Sequence, residues 1–143
     1  TLNQVVRANQ SKFIFAFFFS GLFNESGYIM VQSAASDLAR QFRKEKQMAF
    51  ILMFMIFFGI LGRFLNGSLC IRMRHSVRIW FAAHLTLFSF LLISFACFAG
   101  LHYGINLFYL AVAASVFTGL AEASGEAALL GYMKGFPANM VSE

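Results

Sequence analysis

The sequence predicts an all-α membrane protein, a polytopic bundle of four transmembrane helices. Three observations carry this. The chain is 59% hydrophobic and 12% charged, against about 45–50% and 25% in an ordinary soluble domain. It holds twenty Phe in 143 residues, more apolar bulk than a soluble core of that size hides. The apolar residues also fall in four runs of about the 20 residues a helix needs to cross hydrocarbon. The connections between the runs carry most of the Lys and Arg, as topogenic charges do.

A polar segment is expected at 1–12, a membrane domain at 13–135 and a tail at 136–143. Span one, about 13–35, is Phe-rich at its start and polar in its middle, with Asn24, Glu25, Ser26 and Gln32. Residues 36–47 carry Arg40, Arg43, Lys44 and Lys46, and place Leu38 and Phe42 four apart. That pattern suits either a short amphipathic helix on the membrane surface or a solvated loop. Span two, about 48–70, is wholly apolar in its first half and contains Gly59, Gly62, Arg63, Asn66 and Gly67 in its second. Arg63 either snorkels to the interface, the favoured reading, or pairs with a carboxylate across the bundle.

Residues 71–78 read as a tight basic turn with Arg72, Arg74 and Arg78. Span three, about 79–100, opens on Trp80. His84 lies within a turn of its start and is expected at the interface rather than in a proton relay. A short loop at 101–105 leads to span four, about 106–133. This run carries Glu122 and Glu126, whose spacing of four stacks them on one helix face. Gly119, Ala121, Ala123, Ser124, Gly125 and Ala127 surround them and allow another helix to approach closely. Pro137 stops the helix.

Three of the six acidic residues, Glu25, Glu122 and Glu126, therefore lie inside spans. A charge at the bilayer centre costs about 2.5–3.5 kcal/mol on insertion scales, so such groups usually mark a solute or ion route or a proton relay. The bland alternative is a buried structural network. The expected pathway residues are Glu25, Glu122 and Glu126, with Asn24 and Gln32 orienting a solute and Arg63 as a charge partner. No catalytic residue is assigned: there is no phosphate loop, nucleophile elbow or metal box, and no cofactor motif. A nucleic-acid partner is not expected, because the net charge of +5 sits in connections between spans. Cys70 and Cys97 have no metal-ligand spacing and read as free thiols.

Counting Lys and Arg on alternate sides gives six against four, which favours a cytosolic N-terminus. In that topology none of the Asn-x-Ser sequons at Asn9, Asn24 and Asn66 meets the glycosylation machinery. An incomplete chain is expected, because it opens on Thr1 rather than Met and stops at Glu143, soon after Pro137.

Two stretches resemble the battenin family. In span one the pattern is carried by Gly21, Leu22, Asn24, Tyr28, Ser33, Ala34, Ala35 and Asp37, and in span four by Gly119, Leu120, Glu122 and Pro137. The resemblance covers about the family's first third. It departs at Ala121, where the family has Gly, and in the first connection, which is shorter than in animal members. It implies a major-facilitator-type transporter in a lysosomal or vacuolar membrane, with more spans than these four. It further implies a role tied to glycerophosphodiester clearance, lysosomal pH and basic amino acids. Four helices alone do not supply the two bundles that alternating access needs. The remainder of the transporter, membrane lipid and a small polar solute are thus the expected partners. The alternative expectation is a non-transporting accessory subunit of a larger organellar membrane complex, co-purifying at fixed stoichiometry.

Overall fold

The computed structural model describes residues 9–68 and 73–133. Cys70, Arg72, Lys134 and Pro137, with most of the leading segment and the whole tail, lie outside the described residues. Four long helices carry the fold: α1 (Gln10–Gln41), α2 (Met48–Ser68), α3 (His75–Tyr103) and α4 (Phe108–Met133). Each is long and apolar enough to cross a membrane. Between its two ends a helix bonds every backbone group inside its own segment, which is what hydrocarbon demands.

α4 is the central helix, and α2 and α3 make most of their contacts with it. Its sequence explains the position. Twelve of its residues are buried, and nine of these are Ala, Gly, Ser or Thr. Small side chains let backbones pack directly, the main source of helix association where lipid removes the hydrophobic drive. On α2, Ile51, Met55, Gly59, Gly62 and Asn66 form the buried stripe. Its spacings of three and four are one face of a helix. Gly119 of α4 sits so close to the Met55 carbonyl that a Cβ there would overlap it. A Cβ on Gly62 would stand 3.0 Å from the Ala123 Cβ.

The core has an apolar end and a polar end. Val31, Ala35, Leu38, Phe42, Ile51, Met55, Ala96, Phe108 and Val112 form the apolar cluster. Asn66, Arg78 and Glu122 are buried toward the other end of α4. The outward faces carry Phe15, Phe18, Phe57, Phe64, Leu91 and Phe95, all exposed on the chain as lipid-facing residues are.

The structure moves several boundaries. α1 has 32 residues, which rise about 48 Å against a hydrocarbon core of about 30 Å. It therefore runs past residue 35 into the expected connection. Leu38 and Phe42 do not lie on the membrane surface; they are 6% and 5% exposed, and Phe42 packs edge-on against Phe108 at 6.3 Å. The helix ends where Arg43 takes φ 54°. The Arg43 N–H donates to the Arg40 carbonyl and the Lys44 N–H to the Ala39 carbonyl, a Schellman closure with Arg in the place that Gly usually fills.

The basic turn is shorter than expected, because α3 already begins at His75. Nothing in His75–Arg78 breaks a helix, and the buried face of α3 starts at Arg78. α3 also continues to Tyr103, through most of the expected third connection, and ends at Gly104 with φ 64°. Asn106 then joins two elements. Its Nδ2 donates to the Phe42 carbonyl and its Oδ1 accepts the Phe108 N–H, each at 3.2 Å. His84 is exposed, with Nδ1 2.8 Å from the Trp80 carbonyl of its own helix, away from the bundle interior.

Candidate functional site

At the polar end, α2 and α4 cross through glycine and alanine. That crossing carries Arg63 of α2 onto the face of α4 that bears Glu122 and Glu126. Arg63 Nη2 lies 2.9 Å from Glu122 Oε1 and 2.8 Å from Glu126 Oε2. Its Nε–H donates to the same Glu126 oxygen at 3.0 Å. One guanidinium thus bridges two carboxylates one helical turn apart. Arginine suits this because its planar fork of donors meets carboxylate oxygens without the mobility of a lysine. The triad is graded in burial. The Glu122 side chain is 7% exposed, whereas Glu126 and Arg63 keep 39% and 50%. It is rooted in the bundle at Glu122 and opens outward at the other two.

Gly59 leaves room beside the second Glu122 oxygen, since a Cβ there would stand 3.9 Å from it. α1 closes another side. Asn24 Nδ2 donates to the Glu122 backbone carbonyl at 3.2 Å, and its Oδ1 occupies the space a side chain at Gly125 would need. The Asn24 amide is therefore a clamp between helices at the level of the triad. Tyr28 and Glu25 lie within electrostatic reach of Glu122. Glu25 itself is exposed, as is Gln32, two turns along on the same side of α1.

The structure thus joins Glu122, Glu126, Arg63 and Asn24 in one constellation, and leaves Glu25 and Gln32 on an outward side of α1. Between the two readings for Arg63, the geometry is the pair across the bundle. Chemically the cluster is two carboxylates served by a single guanidinium, an environment that favours further positive charge. Among the described residues, no three His, Cys, Asp or Glu side chains gather as metal ligands.

Sequence reasoning missed a second polar network. Arg78 is 8% exposed, and its Nη2 donates to Asn66 Oδ1 at 2.5 Å. Asn66 Nδ2 in turn donates to the Ser124 carbonyl at 3.4 Å. In the sequence Arg78 reads as a connection charge because it follows Arg72 and Arg74. The available signal was its register: Arg78, Ala82 and Ser89 fall on one stripe of α3 at spacings of four and seven. Both Asn24 and Asn66 of the sequons are engaged inside the bundle.

Comparison with known proteins agrees with this picture of a membrane helix bundle. The CLN3 protein family matches residues 15–143. The chain is similar to the battenin of Dictyostelium discoideum, at 31% identity over 127 residues, which cover 89% of this chain and 28% of that protein. The chain thus spans little more than a quarter of the length of that relative. No solved structure matches. With nearly the whole chain inside the family match, this protein belongs to the CLN3 protein family, the battenins.

Proposed function

We propose that the Arg63–Glu122–Glu126 triad lines the route of a small polar solute through a battenin-type transporter, of which these four helices are one part. The observation that carries the reading is Glu122, a carboxylate 7% exposed inside an apolar bundle and tied to a guanidinium from another helix. Such groups are costly in a membrane and are rare outside solute and proton pathways. The triad's openness at Glu126 and Arg63 fits a surface that faces a cavity rather than a closed structural knot.

Proton coupling follows as part of the reading. A proton, or the cationic group of a solute, competes with Arg63 for the two carboxylates. Each step of transport then exchanges one positive partner for another at the same oxygens. Family resemblance supports a glycerophosphodiester or a basic amino acid as the solute, and a lysosomal or vacuolar membrane as the location. The charge count supports a cytosolic N-terminus.

The test is solute uptake into vesicles reconstituted with the full-length protein, measured across a pH series. Glu122→Gln is expected to lower the rate about tenfold, equivalent to about 1.4 kcal/mol on the limiting barrier, and to flatten its pH dependence. Unchanged rate and unchanged pH profile in folded Glu122→Gln protein would remove the triad from the route.

A further inference from the structure

α1 and α3 are held together at two levels and stand apart between them. At one level Gly27 of α1 meets Thr86 and Phe90 of α3, where a Cβ on the glycine would lie 3.3 Å from the Phe90 ring. At the other, Tyr132 of α4 joins the two helices. Its ring lies 5.7 Å from that of Phe17 and 6.0 Å from that of His75, distances at which aromatic rings attract. Between these brackets lies a cavity of about 430 Å³, within the range of small-ligand sites. Gly125 and Leu129 of α4 form its back, and Ala82 and Ala83 line it from α3. Their small side chains leave the space.

The walls suit hydrocarbon. Two of their polar residues are turned onto the protein: Thr86 Oγ1 donates to the Ala82 carbonyl at 3.0 Å, and Asn24 Nδ2 to the Glu122 carbonyl. Ser20, one turn before Asn24, lies toward the Tyr132 bracket. Water finds too few partners to fill such a cavity. An extended peptide is excluded as well, since its N–H and C=O groups would go unbonded there. A helix, about 10–12 Å across with its side chains, is wider than a slot bracketed at both ends. The mouth opens on lipid. Its rim residues Phe23, Ile79 and Leu87 are exposed, and so are Leu91 and Phe95, which follow Leu87 at spacings of four on one face of α3. The rim is thus continuous with the lipid-facing surface.

The length and depth agree. Ile79 to Leu87 rise about 12 Å, against about 15 Å for one leaflet of a hydrocarbon core about 30 Å thick. The outer end of the slot lies beside Trp80, which is 67% exposed, and exposed tryptophan marks the headgroup level of a membrane.

We propose that the cavity between α1 and α3 holds one acyl chain of a membrane phospholipid, which enters at the level of Trp80 and runs inward to the Gly27–Phe90 contact. Asn24 lines the cavity and also bonds to the Glu122 carbonyl, so the bound chain backs the α1 clamp from the side away from Arg63. The site does not depend on the solute route.

The test uses the full-length protein in phosphatidylcholine vesicles that carry a small fraction of phosphatidylcholine with a diazirine in its acyl chain. After irradiation, adducts are mapped by mass spectrometry. Labelling at Phe23, Ile79 and Ala83 is expected to exceed that at Phe57 and Phe95, which are exposed on open faces. Ala83→Phe fills the slot and is expected to lower labelling at Phe23 and Ile79 about fivefold, with Phe95 unchanged. If Ala83→Phe does not fold, Ser20→Phe fills the slot from the opposite wall with the same readout. Labelling at the slot no higher than at Phe57 and Phe95 would mean ordinary surrounding lipid and overturn the proposal. So would labelling at Phe95 with none at the slot, the mark of a protein segment covering it, or slot labelling unchanged by the filling variants.

Discussion

α1 and α4 both carry carboxylates into the middle of a span, and the two helices treat them differently. α4 buries twelve residues and sets Glu122 among them; α1 buries five and leaves Glu25 outside. The two acids differ in the face they occupy and in the side chains that share it. Around Glu122 stand Gly119, Ala121, Ala123 and Gly125, so α2 and α1 come close enough to supply Arg63 and the Asn24 amide. Around Glu25, α1 offers Leu22, Phe23 and Ile29, which are exposed and hold no neighbouring helix near. An acid inside a span becomes part of a paired site where its helix is thin enough for a partner's backbone to reach it.

The sharpest way to break that contrast is to thicken α4. Gly119→Val would drive a side chain into the Met55 carbonyl, where two backbones meet and neither is free to move aside. Overpacking usually costs about 1–3 kcal/mol, and a backbone-to-backbone clash is expected at or above the top of that range. The readout is the fraction of protein recovered folded and monodisperse in detergent, which should collapse. Gly21→Ala on α1 is the matching control. Nothing lies within 4 Å of a Cβ there, so its effect should stay within about 0.5 kcal/mol.

Next in size is the loss of the bridge. Arg63→Gln leaves Glu122 buried beside Glu126 with the bridging cation gone. Stripping one partner from a buried pair costs about 3–5 kcal/mol. Half of Arg63 is exposed, so screening brings the expected loss down to about 1–3 kcal/mol. The double variant Arg63→Gln with Glu122→Gln should recover most of it, since no buried charge is then left unpaired. A thermodynamic cycle over the four proteins measures the coupling directly. Additive effects would show that the two groups do not sense each other.

Glu25 gives a smaller effect of the same kind. It acts on Glu122 through space and not through a shared hydrogen bond. On the proposed transporter reading, Glu25→Gln in the full-length protein is expected to change the rate of solute uptake by about twofold, the scale of a screened interaction at longer range. A loss equal to that of Glu122→Gln would place both helices on the route in equal measure and erase the distinction drawn between them.

Much of this architecture could be read from the residues, and the parts that could not share a cause. The four runs and the stacking of Glu122 over Glu126 follow from local spacing alone. So does the closeness of α4 to its neighbours, through its glycines and alanines. The bridge from Arg63 does not, because snorkelling and pairing use the same stem and differ only in where another helix stands. The burial of Arg78 was hidden in a cluster of Arg that looked like topology. Helix ends moved at 41, 75 and 103 because packing of Leu38, Arg78 and Ala99 against the bundle carries the helices beyond the hydrocarbon. Polarity pattern reports where a chain leaves lipid, and not where its hydrogen bonding stops.

A small loss of stability tests whether polar contacts or close packing hold α3 to the central helix. Ser89 donates to the Ala114 carbonyl at 2.7 Å, and its Oγ lies 2.6 Å from Thr118 Oγ1. Both side chains are buried. Such bonds between transmembrane helices average about 0.6 kcal/mol, because the separated helices find other partners for the same groups. Thr118 would still bond to the Ala114 carbonyl of its own helix after Ser89→Ala, so nothing is left wholly unsatisfied. A loss of about 0.6 kcal/mol in denaturant unfolding is expected, well below that of Gly119→Val. A loss as large as the glycine variant's would mean that hydrogen bonding, and not the thinness of α4, sets the geometry on which the Glu122 site depends.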